Sequence, residues 1–175
     1  LQASVILDNF ARPFQGHCHY NNFSICTSCA RMSPLETARF QELQMAYQKI
    51  DTVVLSIGGP FSKSYPYLEE FSLAISRSEV LQALQRPHGN LLGHVFYDEH
   101  ECLQLPQGYC ITSMGLQDLE TAPNVICIAG GQQKVEAIIS AAKQHYINVL
   151  ITDETTALQM LHTLKKEKPN SWPGQ

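Results

Sequence analysis

Apolar residues along the chain gather into helical stripes and short unbroken runs, and these set out most of the elements. Leu1, Val5, Ile6, Leu7 and Phe10 approximate one helical face, which Pro13 terminates. The more polar stretch from Gly16 to Phe23 predicts a short strand. Ser33-Pro34-Leu35-Glu36 joins an N-cap, a first-turn proline and a capping-box glutamate. The helix it opens is predicted to reach about Lys49 and to offer Leu35, Ala38, Leu43, Ala46 and Tyr47 to a core. Asp51 to Ile57 is a β-branched apolar run ending in Gly58-Gly59-Pro60, which predicts a strand covered on both faces, as in parallel sheets. Residues 61–75 are ambiguous. Ser76-Arg77-Ser78-Glu79 forms a second capping box, for a helix to about Gln85. Pro87 to Asn90 reads as a turn, Leu91 to Asp98 as a strand, and Asp98 to Glu101 as its reversal.

The C-terminal pattern is cleaner. Val125 to Ala129 predicts a buried strand, Gly130-Gly131 a turn, and Gln132 to His145 a helix that buries Val135, Ile138, Ile139 and Ala142. Asn148 to Ile151 is a second strand, and Thr152-Asp153 starts a helix to about Leu164. Strand, helix, strand and helix at this spacing imply a parallel crossover. Lys165 to Gln175 reads as a flexible tail.

Composition narrows the class. Of the 175 residues 44% are apolar, enough for a core and against wholesale disorder. The net charge of −4 argues against a nucleic-acid-binding module, which needs a basic face. No apolar run reaches the roughly 18 residues of a membrane helix. No export signal is read at the start, and the opening Leu1 suggests a piece of a longer protein. The six cysteines therefore read as buried or free thiols of a cytoplasmic chain, with Cys127 in the core.

Candidate chemistry lies beyond the carboxyl ends of the strands, where open parallel sheets bind ligands. Three such ends can be read: Ser56 to Pro60, Ala129 to Lys134 and Thr152 to Glu154. At the middle one, Gly130 and Gly131 allow close backbone approach, and a helix N-terminus follows with its outward N–H groups. Lys134 in the first helical turn is unfavourable for the helix itself, but suits a bound anion. Neither glycine-rich nucleotide motif occurs, so no nucleotide cofactor is expected.

The run from Asn124 to Ile138, with Ala129-Gly-Gly-Gln-Gln-Lys134, and then Tyr146 to Ala157, with Ile151-Thr-Asp-Glu-Thr-Thr156, resembles the effector-binding domain of SorC-type (SorC/DeoR) bacterial transcriptional regulators. Asp51 to Gly59, Gly89 to Asp98 and Met114 to Leu119 follow the same order upstream. The resemblance is specific over about residues 50–162, and chain 1–49 matches weakly. It implies an α/β fold: a Rossmann-like, mostly parallel sheet flanked by helices, similar to sugar-phosphate isomerases and CoA transferases. It also implies a phosphorylated sugar as effector, regulation of carbohydrate-utilisation genes rather than catalysis, and a homodimer or homotetramer. DNA would be contacted only through a separate N-terminal helix-turn-helix. That element, and the first strand–helix portion of the family domain, are not found in these residues, so the domain is taken as 1–164, N-terminally truncated. By the match, Lys134 takes the ligand-binding lysine position behind the Gly130-Gly131 loop. Asn90 stands where the family usually has an acidic residue that holds sugar hydroxyls, and Arg77 is the nearest candidate for a phosphate-binding cation. Gly58 and Gly59 complete the predicted ligand-binding set.

Other readings compete. His17-Cys18-His19 followed by Cys26-x-x-Cys29 has zinc-preferring residue types, so Cys18, His19, Cys26 and Cys29 form an alternative metal site, although no second paired half-site follows. An isomerase-like enzyme would use Asp98 with His100, or Asp153 with Glu154, as acid–base pairs. Solvated turns and helix first turns account for both pairs more simply. An oligomerisation domain that has lost its ligand is the third class.

Overall fold

The computed structural model describes residues 3–59, 74, 76, 78, 79, 82, 89–97 and 101–167. Its centre is a three-stranded parallel sheet in the order β2-β6-β7, formed by Thr52–Leu55, Asn124–Ile128 and Val149–Ile151. Asn148 aligns the starts of the latter two. Its side-chain oxygen accepts from the Val125 N–H at 2.8 Å, and its amide donates to the Pro123 carbonyl at 3.1 Å. Among the helices, α4 (Val135–Lys143) follows β6 through a tight turn at Gln132–Lys134, and α5 (Glu154–Glu167) follows β7. The last helix thus passes the expected end at Leu164, and 168–175 lie outside the described residues.

The side chains on the two sheet faces meet different fates. Val53, Leu55, Val125 and Cys127 point to the core, where α4 covers them with Ala137, Ile138 and Ala141. Val54, Ile128, Val149 and Ile151, on the other face, remain 49, 49, 43 and 53% exposed. The expectation of a strand covered on both faces therefore fails for β2, since nothing in the described chain packs over Val54. Within α4 the buried face includes Ala137 and Ala141, while the predicted Ala142 is exposed.

Two small antiparallel pairs flank the sheet. One is a hairpin, β3 (Gly89–Leu91) and β4 (His94–Phe96), which replaces the predicted single strand and absorbs Gly89 and Asn90 from the predicted turn. Leu92 (φ 52°) and Gly93 (φ 88°) both lie in the left-handed region, as a two-residue hairpin turn with the right twist requires. The signal was missed because leucine is a poor residue at the first of these positions. Beyond the hairpin the Tyr97 N–H donates to the Glu101 carbonyl at 2.7 Å and the Leu103 N–H to the Val95 carbonyl at 2.8 Å, whereas the reversal predicted over Asp98 to Glu101 falls largely on residues 98–100. Asp98 and His100 themselves lie outside the described residues.

The second pair joins β1 (Cys26–Ser28) to β5 (Tyr109–Ile111), and a disulfide links Cys29 to Cys110 beside it. The strand predicted over Gly16–Phe23 is irregular instead, and the free-thiol reading fails for this pair. The physical reason is register: pairing Ser28 with Tyr109 brings the two Cα atoms within 6.5 Å across an 81-residue separation no local pattern reveals.

Helix α2 (Pro34–Tyr47) carries the predicted capping box, with the Ser33 N–H donating to Glu36 at 2.8 Å. The hydrogen bonds from Ser33 hold the Glu36 carboxyl below the usual range. The helix buries Phe40, edge-on to Phe23, rather than Leu35, Ala38 or Ala46. At Ser76 the second capping box is also formed, with the Ser76 N–H donating to Glu79 at 2.9 Å. Helix α1 (Ala3–Ala11) ends ahead of Pro13, and α3 (Leu116–Thr121) is capped by Asp118, which accepts from the Gly115 N–H at 3.1 Å.

Candidate functional site

The carboxyl ends of β2 and β6 turn out side by side, because the two strands run parallel and in register from Thr52↔Asn124 to Leu55↔Cys127. The loop after β2 then meets the hairpin. Gly58 and Asn90 exchange backbone hydrogen bonds at 2.9 and 3.1 Å, which fixes the buried Asn90 against the end of β2. Gly59 lies so close to the turn after β6 that a Cβ there would stand 2.7 Å from the Gln133 carbonyl oxygen and 3.3 Å from Lys134 Cγ. The structure therefore brings Gly58, Gly59, Asn90 and Lys134 together from three separate stretches of chain. Arg77 lies outside the described residues.

Beneath this group is the buried thiol of Cys127. Burial pushes it up to about 11, against the opposing pull of the nearby Lys134 ammonium. The thiol is thus neutral at pH 7 and forms no ion pair with Lys134.

Gly130 and Gly131 face a different environment. Gly131 adopts φ 107°, a conformation open to glycine but rarely to other residues, and its carbonyl accepts from the Lys134 N–H at 2.9 Å. Its own N–H donates to Thr156 Oγ1 at 2.7 Å, and that hydroxyl donates to Asp153 Oδ2 at 2.7 Å. A Cβ on Gly130 would collide with the same carboxylate. Asp153 also accepts from the Thr156 N–H at 2.9 Å as the cap of α5, and these hydrogen bonds hold its carboxyl below the usual range. One of the N–H groups expected to cradle an anion is therefore engaged by the protein, with a negative charge beside it. The loop after β6 is bipolar, with the Lys134 side chain starting beside Gly59 and the Asp153 carboxylate beside Gly130.

The Asp153–Thr156 lock was not legible in the sequence, where Thr-Asp-Glu-Thr reads as an ordinary helix cap. Its second task, gripping the loop of the neighbouring strand, depends on β6 and β7 being adjacent. Next to it, Thr152 Oγ1 is buried at the end of β7 without a hydrogen-bond partner among the described residues.

The zinc-type residues do not assemble. Cys29 is joined to Cys110, Cys26 is buried on β1, and the Cys18 thiol reaches the Leu7 carbonyl at 3.9 Å. Among the described residues no three His, Cys, Asp or Glu side chains converge on a common metal position. Also among them, no helix is long and apolar enough to cross a membrane.

The family model described as "Putative sugar-binding domain" matches residues 1–162. This chain belongs to that family, the sugar-binding effector domain of SorC-type regulators. Its curated relatives include the transcriptional regulator LsrR of Enterobacter sp. strain 638, 26% identical over 125 residues, covering 71% of this chain and 39% of that protein. LsrR of Escherichia coli K12 is 25% identical over 124 residues, with 70% and 39% covered. The chain thus spans about two fifths of the length of these relatives. Among solved structures, a transcriptional regulator from Streptococcus pneumoniae TIGR4 shares the fold with a TM-score of 0.73 at 22% identity, over 93% of this chain and 64% of that one. The full-length sorbitol operon regulator SorC from Klebsiella pneumoniae gives 0.67 at 21% identity, over 86% and 49%. These likenesses support the Rossmann-like α/β architecture expected of SorC-type domains.

Proposed function

We propose that this chain is the effector-sensing part of a cytoplasmic, sugar-responsive transcriptional regulator, and that it reads a phosphorylated sugar without transforming it. The observation that carries the reading is the convergence of Gly58, Gly59, Asn90 and Lys134 at the carboxyl end of the parallel sheet in a SorC-type domain. The bipolar loop gives the ligand a direction. The phosphate belongs on the Lys134 side with the Gly58-Gly59 backbone, since the Asp153 carboxylate repels an anion at Gly130. Hydroxyl groups belong with Asn90, an amide being able to donate and accept, and with the Thr152 hydroxyl, which has no partner among the described residues.

Signalling follows from differential affinity: a ligand that binds one arrangement of these loops better than another shifts their populations, and a separate helix-turn-helix domain reports the shift at DNA. The curated relatives matched are regulators. Of the two acid–base pairs of the enzyme alternative, Asp98 with His100 lies outside the described residues, and Asp153 is a poor acid and a weak base, since its carboxyl is held low and hydrogen-bonded to Thr156.

A thermal-shift series with sugar phosphates and the matching free sugars tests this. A phosphosugar at about 100 times its Kd should add about 2.7 kcal/mol of stability. Lys134→Ala should abolish that gain while leaving the unliganded melting temperature nearly unchanged. Equal ligand effects on wild type and variant, or stabilisation by the free sugar alone, overturn the assignment. The isolated chain should also show no salt-sensitive affinity for duplex DNA in a fluorescence titration.

A further inference from the structure

The hairpin that presents Asn90 is anchored on two sides. One is the loop after β2, through the backbone exchange with Gly58. The other is the β1–β5 pair, on whose flanks the hairpin turn rests. A Cβ on Gly93 would stand 2.5 Å from Ile25 Cγ1, the Ser113 hydroxyl donates to the Leu92 carbonyl, and His94 Nε2 lies 3.1 Å from the Met114 carbonyl. Ile25 leads directly into β1, and Ser113 and Met114 follow soon after β5. The pair itself is small: each strand has three residues, and a two-stranded ribbon of that length is marginal in water. The covalent tie across it is Cys29–Cys110, from the residue after β1 to the middle of β5.

Two features suit this tie to being made and broken. Cys29 and Cys110 are half-buried, within approach of a small thiol or disulfide, whereas Cys26 and Cys127 are buried at 3 and 0% exposure. Hydrogen bonds that do not involve sulfur also hold the two residues across from each other. The Cys29 N–H donates to the Gly108 carbonyl at 2.7 Å, and the Thr112 N–H to the Ile25 carbonyl at 3.0 Å. With the Cα atoms 6.5 Å apart, inside the span of a disulfide, the thiols of the reduced chain stay poised to close again. We propose that Cys29 and Cys110 are a reversible redox site, exchanging with low-molecular-weight disulfides and thiols, whose closing locks the hairpin that carries Asn90. The assignment to a cytoplasmic regulator, on which this proposal rests, means surroundings where thiols are kept reduced and disulfides are chiefly transient or redox-sensing.

The exchange balances. The thiolate of one cysteine attacks a small disulfide and expels one small thiolate, leaving a mixed disulfide. The second cysteine, as thiolate, attacks the protein sulfur of that intermediate, forms Cys29–Cys110 and expels the other small thiolate. Two electrons pass from the cysteine pair to the small disulfide, and the two cysteine protons end on the two released thiols. An excess of small thiol runs the same steps backwards. The bond removes open conformations of the β1–β5 pair, and the hairpin turn loses the corresponding freedom.

Equilibration of the 175-residue chain in glutathione buffers tests the site, with open thiols blocked by a maleimide and located by peptide mass spectrometry. In a pool of about 10 mM, the pair should pass from thiols to bond as glutathione disulfide rises from about 0.01% to about 10% of the total. A bond that persists in reduced glutathione alone, or one that never forms, overturns the proposal. Hydrogen exchange reads the lock in the same protein. Reduction should speed exchange of the Cys29 and Thr112 amides at least about tenfold and of the Asn90 and Gly58 amides about fivefold, while β6 keeps its rates. Unchanged Asn90 and Gly58 amides, or equal acceleration across β6, overturn the lock. In a Cys29→Ser, Cys110→Ser double variant the Asn90 amide should exchange as in the reduced wild type at every glutathione ratio. A response that survives in that variant overturns the assignment to this pair. None of these readouts uses a ligand, so their failure is distinct from a failure of the phosphosugar thermal shift.

Discussion

The two faces of the central sheet are built from the same residue types on the same strands, yet they behave as different materials. Val53, Leu55, Val125 and Cys127 are sealed under α4, whereas Val54, Ile128, Val149 and Ile151 alternate with them and stay open. Hydrophobicity places a residue in a strand. Whether the residue is buried depends on what lies opposite, and along the described chain only one face has a helix above it. The closed face therefore carries the stability of the domain among the described residues.

Truncations on the two faces give the largest contrast. Leu55→Ala should cost about 3 kcal/mol, the transfer energy of the lost atoms plus a residual cavity. Ile128→Ala should cost less than about 0.5 kcal/mol in chemical denaturation. Similar losses at both positions would mean the open face is covered within one copy.

A second comparison sets the parallel sheet against the β1–β5 pair. Reduction of Cys29–Cys110 should lower stability by about 4 kcal/mol, because the link closes a long loop. Hydrogen exchange should accelerate at Cys26–Ser28 before it does at Val125–Ile128. Uniform acceleration would show that the two sheets unfold as one unit.

The smallest effect belongs to the hairpin. Burial holds the His94 imidazole below its ordinary range, opposed by the Met114 carbonyl 3.1 Å from Nε2 and by Asp118. The unfolded chain then binds the proton more tightly, so the stabilisation is complete above about pH 6.5 and is lost as the pH falls toward the folded value. A His94→Gln variant should show a flatter fall in melting temperature between pH 7 and 5.5. The carboxyls of Glu36, Glu79 and Asp153, also held low by hydrogen bonds, act in the same direction but at more acid pH.

Much of the C-terminal half was legible in the residues. Val125 to Ile128 with Val149 to Ile151 spelled two apolar strands, and the stretch between them could only cross over as a helix. Both serine–glutamate capping boxes formed as read, because a cap is a contract between residues three apart. Of the candidate site, Lys134 and the glycines could be named in advance. The hydrogen bond from Gly131 to Thr156 could not, since its partners are 25 residues apart and meet only when β7 takes its place beside β6.

What the sequence determined by itself was local: where helices start, which runs become strands, and which loop carries a cation behind two glycines. Those features rest on periodicity and on interactions within a few residues. The pairing of Cys29 with Cys110, the carboxylate beside Gly130, the folding of residues 89–96 into a hairpin and the bare side of the sheet were decided only by tertiary structure. Each depends on which distant segments become neighbours, and that choice is made by the packing of the whole chain.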